Sequence, residues 1–135
     1  MTPATLTVRS LTTADFRRCA EIDGEWSEAD FWHRTQGQWR GVGVESKGYL
    51  VGFGLFTLAE LGLHVQRLHY DDCYAGVMEL LLEMLVARAS QARRKCVMFP
   101  IQAAAVRLNE LLRADGYKAA HLVRGKDILI MERRV

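Results

Sequence analysis

Between Glu60 and Met78 the chain gathers side chains that could move a proton and backbone that could hold an anion. His64 titrates near neutral pH when unperturbed, so it suits a general base working through water. Glu60, just ahead of it, is the rival carboxylate base. Tyr70 and Tyr74 carry phenolic hydroxyls that could return a proton as general acid, or serve ordinary packing. Cys73 stands just before a predicted helix, where a thiol pKa falls, which makes it a candidate nucleophile, although no histidine but His69 is fixed beside it in sequence. By strict strand alternation His69 faces away from His64, which assigns it a structural role rather than a share of one pocket.

These groups need a strand, a loop and a helix to place them. The run from His64 to Tyr70 reads as a strand anchored by Val65 and Leu68, and the stretch from Asp71 to Gly76 as a polar break. From Val77 to about Arg93 the residues Val77, Leu80, Leu81, Met84, Leu85 and Arg88 follow the spacing of one buried helical face. A helix that begins straight after a strand points free N–H groups and its positive dipole end at the strand's C-terminal edge. That is a ready seat for a pyrophosphate.

The flanking segments complete a mixed sheet. Thr5–Arg9 is a first strand, and Thr12 to Asp15 caps a helix that runs to Ile22 and stops at Asp23-Gly24. Ser27 to Asp30 caps a second short helix carrying Phe31 and Trp32, with Gly37 as its stop. Trp39–Val44 and Tyr49–Leu58 form a hairpin, in which Gly52 and Gly54 mark a bulge or close packing. Leu63 to Tyr70 is the third antiparallel member. After the long helix, Lys95–Ile101 is a buried strand with Pro100 near its end. A helix over Ala103–Ala114 closes at Asp115-Gly116, and strands Tyr117–Val123 and Asp127–Glu132 finish the chain. The expected fold is α+β, in the order β α α β β β α β α β β, with one helical crossover to a parallel neighbour.

With 135 residues, half of them hydrophobic, the chain is expected to form one domain over residues 1–135. A formal charge of +2 calls for neither nucleic acid nor a membrane surface. No apolar run has spanning length, and Met1-Thr-Pro-Ala lacks a leader pattern, so the expected location is cytoplasmic. Cys19, Cys73 and Cys96 form no CxxC pair, so neither a zinc site nor a disulfide framework is expected and the metal assignment is none.

Three stretches, Val8 to Asp15, Gly48 to Gly54 and Leu108 to Tyr117, stand in the order and spacing of the GNAT superfamily of N-acetyltransferases, which this chain resembles over nearly its whole length. The first is similar to that family's opening strand and capped helix. The second is similar to its third strand, and the third to its last helix running into a Gly-aromatic pair. The resemblance implies a splayed central strand pair, with acetyl-CoA or another acyl-CoA lying in the gap. The backbone of Leu68, His69 and Tyr70 would hold the pantetheine arm, and the loop Cys73, Tyr74, Ala75, Gly76, Val77 and Met78 the pyrophosphate. The family's loop pattern R-G-x-G-x-G/A is eroded here. Cys73 stands at the Arg, Tyr74 at the first glycine and Met78 at the third, and only Gly76 survives.

The resemblance implies direct transfer of an acetyl group to a primary amine, small-molecule or peptide. His64 is similar to a histidine of aralkylamine acetyltransferases that relays the proton through water. The family's usual acid position is Leu112 here and its asparagine maps to Ala105, so Tyr70, Tyr74 or solvent would protonate the thiolate. Trp26, Phe31, Trp32 and Trp39 fall in the segment that covers the acceptor, as pocket wall or as core. Asp23, Glu25 and Glu28 could attract a cationic amine, and Arg88 with Arg93 to Lys95 could reach the CoA 3′-phosphate or form a solvated helix end, basic as the dipole prefers. The eroded loop and missing tyrosine also fit a non-catalytic acyl-CoA sensor or interaction module. Exposed final strands leave room for a homodimer.

Overall fold

Apolar alternation and capping residues cut the chain into seven strands and four α-helices in a computed structural model that describes residues 5–135. Met1 to Ala4, where a leader pattern was sought, lie outside the described residues. The order is β1 (Leu6–Ser10), α1 (Phe16–Asp23), α2 (Glu28–Arg34), β2 (Arg40–Ser46), β3 (Tyr49–Leu58), β4 (Gly62–Tyr70), α3 (Val77–Gln91), β5 (Cys96–Gln102), α4 (Val106–Ala114), β6 (Lys118–Val123) and β7 (Ile128–Arg134). A 3-10 turn at Thr13–Asp15 leads into α1.

Local chemistry fixes the ends. The Asp15 carboxylate accepts from the Thr12 N–H at 2.8 Å, and Asp30 and Ser27 form a reciprocal pair at the start of α2. Gly24 ends α1 in the left-handed region with φ 77°. Lys47 and Gly48, with φ of 52° and 79°, make the two-residue turn between β2 and β3. The last helix starts later than its apolar pattern suggested. Residues 103–105 form a turn, Val106 is the first helical residue, and it points to solvent.

The sheet runs β1-β2-β3-β4-β5-β7-β6, antiparallel throughout except for the β4–β5 pair joined by α3. This is the mixed α+β architecture the segment order implied. One core lies beneath α3 and includes Val65, Val77, Met78, Leu81, Leu85, Phe99, Leu112, Tyr117 and Met131. A second lies beneath α1 and α2 and includes Phe16, Cys19, Phe31, Phe53 and Leu55. The buried face of α3 is centred one position off the predicted stripe. Met78, Leu82 and Ala89 are buried, while Leu80, Met84 and Arg88 flank them.

Gly52 belongs to close packing. A Cβ there would lie 2.5 Å from Val77 Cγ1 and 3.0 Å from Tyr70 Cβ, so the bare backbone lets the first turn of α3 settle onto the sheet. Two register shifts bend the central strands, one at Val44/Glu45 and one opposite Leu55/Phe56. The second places Arg67 against Leu55 and Val65 against Phe56, leaving Gln66 as the extra residue of a bulge in β4.

Candidate active site

The parallel ladder between β4 and β5 is short. It pairs Gly62 with Cys96, Leu63 with Val97 and His64 with Met98, and then the strands part. Beyond that point β4 continues to Tyr70, paired with β3 alone, while β5 continues to Gln102, paired with β7 alone. The result is a seam whose apex is His64/Met98 and whose mouth lies beside the 71–76 loop and the start of α3.

The mouth has the features of an anion seat. Gly76 caps α3 in the left-handed region with φ 86°, and the first helical amides have no partner within the helix. Met78 is 5 % exposed and sits in the core beneath α3, and Tyr74 packs against that core half-buried, so neither side chain fills the cradle. Val77 is buried, while Ala75 and Gly76 are exposed. Beneath the seam, Tyr117 stands edge-on to Phe99, the first β5 residue past the ladder, with ring centroids 6.3 Å apart. Its hydroxyl is buried and has no hydrogen-bond partner, and burial raises its pKa well above the phenolic range. Free amides and an open loop fit a polar thioester carrier. The acidity of the loop works against an anion. Asp71 and Asp72 line a cleft with Arg18, Glu21, Ile22 and Tyr70, and Arg18 is the one cation on that lining.

Cys73 is not an activated thiol. Asp71, by hydrogen bonding and by charge, and Asp72 by charge raise its pKa, and the ligand atoms of the three residues lie within 4.8 Å of one another. The Cys73 N–H is spent on Asp71 Oδ1 at 3.0 Å, and the residue lies ahead of the helix rather than on its first turn. The carboxylates outweigh the helix end that was expected to lower the pKa.

His64 is exposed at the apex, whereas Glu60 is exposed in the turn before β4, at the closed end of the seam. Leu68 and Tyr70 are half-buried opposite Gly54 and Gly52, on the α3 side. The reading of His69 requires correction. Because Gln66 bulges, His64 pairs with Thr57 and His69 with Phe53, which share one side of β3. Both histidines therefore face the α1–α2 side, about 13 Å apart along the strand. His69 Nε2 is 3.3 Å from Arg67 Nη2 and 3.5 Å from Asp23 Oδ2. Burial lowers its pKa and Asp23 only partly opposes this.

Arg67, which the sequence pattern did not single out, meets Asp23 of α1 on this face. Arg67 donates Nε to Asp23 Oδ2 and Nη2 to Asp23 Oδ1, both at 2.7 Å, and reaches Glu25 at 3.3 Å. Its guanidinium also lies 4.3 Å from the Trp26 ring centroid. Asp23 is thus already neutralised, and Glu25 is the solvent-facing carboxylate of the group. Burial pushes the Asp23 carboxyl up, but Arg67 and the N–H groups of Trp26 and Glu25 outweigh it and hold the pKa below the ordinary range.

The aromatic segment divides between core and rim. Phe31 is fully buried between Phe16, Trp26 and Phe53, while Trp32 is half-exposed. Arg88 stands well away from the pyrophosphate cradle. It bonds Ser10 Oγ at 2.8 Å and lies about 16 Å along α3 from Val77.

No protein-family model and no curated protein matches the sequence. Solved structures do match the fold. The ribosomal-protein-S18-alanine N-acetyltransferase from Escherichia coli superposes with a TM-score of 0.86 at 18% identity, over 97% of this chain and 94% of that one. The paia N-acetyltransferase from Thermoplasma acidophilum, in complex with coenzyme A, gives 0.81 at 13% identity, over 97% and 99%. An acetyltransferase from Salmonella typhimurium with its cofactor acetyl-CoA gives 0.70 at 15% identity, over 96% and 93%. The splayed β4–β5 pair, the crossover through α3 and these superpositions together show that the chain has the fold of the GNAT N-acetyltransferases.

Proposed function

We propose that this chain is an acyltransferase that moves an acetyl group from acetyl-CoA directly to a primary amine. The observation that carries the reading is the seam: a β4–β5 ladder that ends at His64/Met98 and opens toward the unpartnered N-terminus of α3. Main-chain amides of β4 would grip an amide-bearing arm, and the turn from Ala75 to Met78 would seat a pyrophosphate. Such a backbone grip tolerates the loss of glycines at Tyr74 and Met78, because both side chains turn inward. Bound there, an acyl-CoA supplies an acyl carbon already activated as a thioester.

The chain's own residues do the rest. His64, at the apex, would accept the acceptor's ammonium proton through water. Glu60 sits beyond the closed end and is the weaker candidate. With phosphates at the cradle, the thiol end lies toward the apex. Tyr70 and Tyr74 then flank the phosphate end, and solvent is assigned the role of proton donor to a thiol of ordinary pKa near 8.5. Holding amine and thioester together supplies much of the rate without a covalent enzyme intermediate. The acceptor is a small or peptide amine that enters from the α1–α2 side. A peptide N-terminus agrees with the name of the Escherichia coli neighbour. Edge strand β6, exposed along most of its length and carrying Leu122, is the surface assigned to a homodimer contact.

One observation favours a second reading, a non-catalytic acyl-CoA sensor. Leu112, fully buried, occupies the position of the family's acid, and Asp71 and Asp72 crowd the cradle with negative charge. Thermal unfolding with and without acetyl-CoA, followed by an amine panel, separates the two. Ligand at about 100 times its dissociation constant should add about 2.7 kcal/mol. Stabilisation with turnover supports the enzyme, stabilisation without turnover supports the sensor, and no stabilisation removes both.

A further inference from the structure

At the end of α3 remote from the cradle lie two adjoining cavities of about 510 and 540 Å³, which share Trp39, Arg40 and Leu58. Arg88 lines the first and Arg94 the second. Arg94 donates Nη1 to the Ala92 carbonyl at 2.6 Å, but its Nε is buried without an acceptor. No carboxylate lines either cavity. Among the described residues, neither Arg40, Arg88 nor Arg94 takes part in an ion pair. The sequence accounts for this, since residues 31–44 and 84–109 contain no Asp or Glu.

Helix electrostatics explain only part of the cluster. Cations at the C-terminal end of α3 offset its negative dipole end, which covers Arg88 and Arg94. Arg40 begins β2, owes nothing to that helix, and still converges on the same cleft. Burying a guanidinium nitrogen without an acceptor is unfavourable unless something else completes it.

We propose that this cleft binds the phosphate group of a small molecule, at a site separate from the seam. Guanidinium forks match phosphate oxygens two at a time, and Arg40, shared by the two cavities, pairs with Arg88 in one and with Arg94 in the other to favour a multiply charged tetrahedral anion. The volume is that of a small-molecule pocket, and a concave site of this size suits a metabolite better than a nucleic-acid tract. Gln38 and Gln91 add neutral donors on the rim, and Trp39 offers an indole surface to whatever the phosphate carries. The separation of about 16 Å along α3 between Arg88 and Val77 prevents one pyrophosphate from touching both sites.

The test is titration calorimetry of the full chain with inorganic pyrophosphate. The wild type should bind saturably, and Arg40→Gln and Arg94→Gln, made singly, should each weaken binding by about tenfold, as expected for loss of a charge-assisted contact. Gly76→Val, at the opposite end of α3 from the cleft, should leave this affinity in place. Comparing phosphate with adenosine 5′-monophosphate distinguishes the sources. Tighter nucleotide binding that is lost in Trp39→Leu assigns a nucleotide, and equal affinities assign the phosphate alone. No saturable binding to the wild type overturns the proposal. So does binding that survives both arginine variants and disappears in Gly76→Val.

Discussion

Arg67 on β4 forks onto Asp23 at the end of α1 with two contacts of 2.7 Å, and the Asp23 side chain is completely shielded from solvent. The pair ties the α1–α2 connection to the strand that forms one wall of the seam. It also orders Trp26 beneath the guanidinium and fixes the neutral surroundings of His69.

Truncating Arg67 leaves a shielded carboxylate without its partner. Arg67→Ala is expected to cost about 3 kcal/mol of folding free energy. Urea unfolding at neutral pH should show a lower midpoint with an unchanged slope. A loss below about 0.5 kcal/mol would place the Asp23 charge in solvent contact and dissolve the clamp.

His69 makes stability depend on pH in a definite direction. Its folded pKa lies below the unfolded value of 6.5 because burial disfavours the imidazolium, with Asp23 and Glu25 from the facing loop opposing and Arg67 reinforcing. The unfolded chain therefore binds the proton more readily. The contribution of neutral His69 is complete above about pH 6.5 and is lost as pH falls from there through the lower folded pKa. His69→Gln should flatten the stability profile on the acid side of about pH 6.5. An unchanged slope would assign the pH dependence to another group.

Gly52 is a spacer between sheet and helix. Gly52→Ala puts a methyl group 2.5 Å from Val77 Cγ1 and should displace the first turn of α3. The expected cost is about 1–3 kcal/mol, with acetyl-CoA affinity falling although the residue touches no ligand. If affinity holds while the melting temperature drops, the amides of that turn are not the grip.

His64→Ala should lower turnover by about a hundredfold if the imidazole is the base. Full activity in the variant would transfer the step to water or to Glu60.

The Tyr117 hydroxyl is buried and bonds to no other group of the protein among the described residues. Tyr117→Phe is expected to raise the stability of the ligand-free protein by about 1 kcal/mol. Lower stability in the variant would show that a buried water already satisfies it.

The order of elements was legible because each carries its own signal: capping residues before α1 and α2, a Lys-Gly turn between β2 and β3, and a helical stripe after Gly76. The side of β4 that His69 occupies was not, because alternation was counted through Gln66. A signal was present. Val65 and Leu68 both pack on the α3 side yet stand three residues apart, a spacing that a regular strand forbids and a bulge restores. The Asp23–Arg67 pair was hidden for a different reason. It joins residues 44 positions apart, and no local pattern encodes such a meeting. Cys73 misled because a helix end was weighed without the two carboxylates that precede it.

The brevity of the β4–β5 ladder has a consequence for how the molecule opens. The sheet is in effect two ribbons, β1-β2-β3-β4 and β5-β7-β6, stitched by a handful of bonds and bridged by α3. Such a joint is the natural boundary between cooperative units. Native-state hydrogen exchange should find the second ribbon loosening ahead of the first, and a carrier lodged in the seam would act as the missing rung that makes them exchange as one.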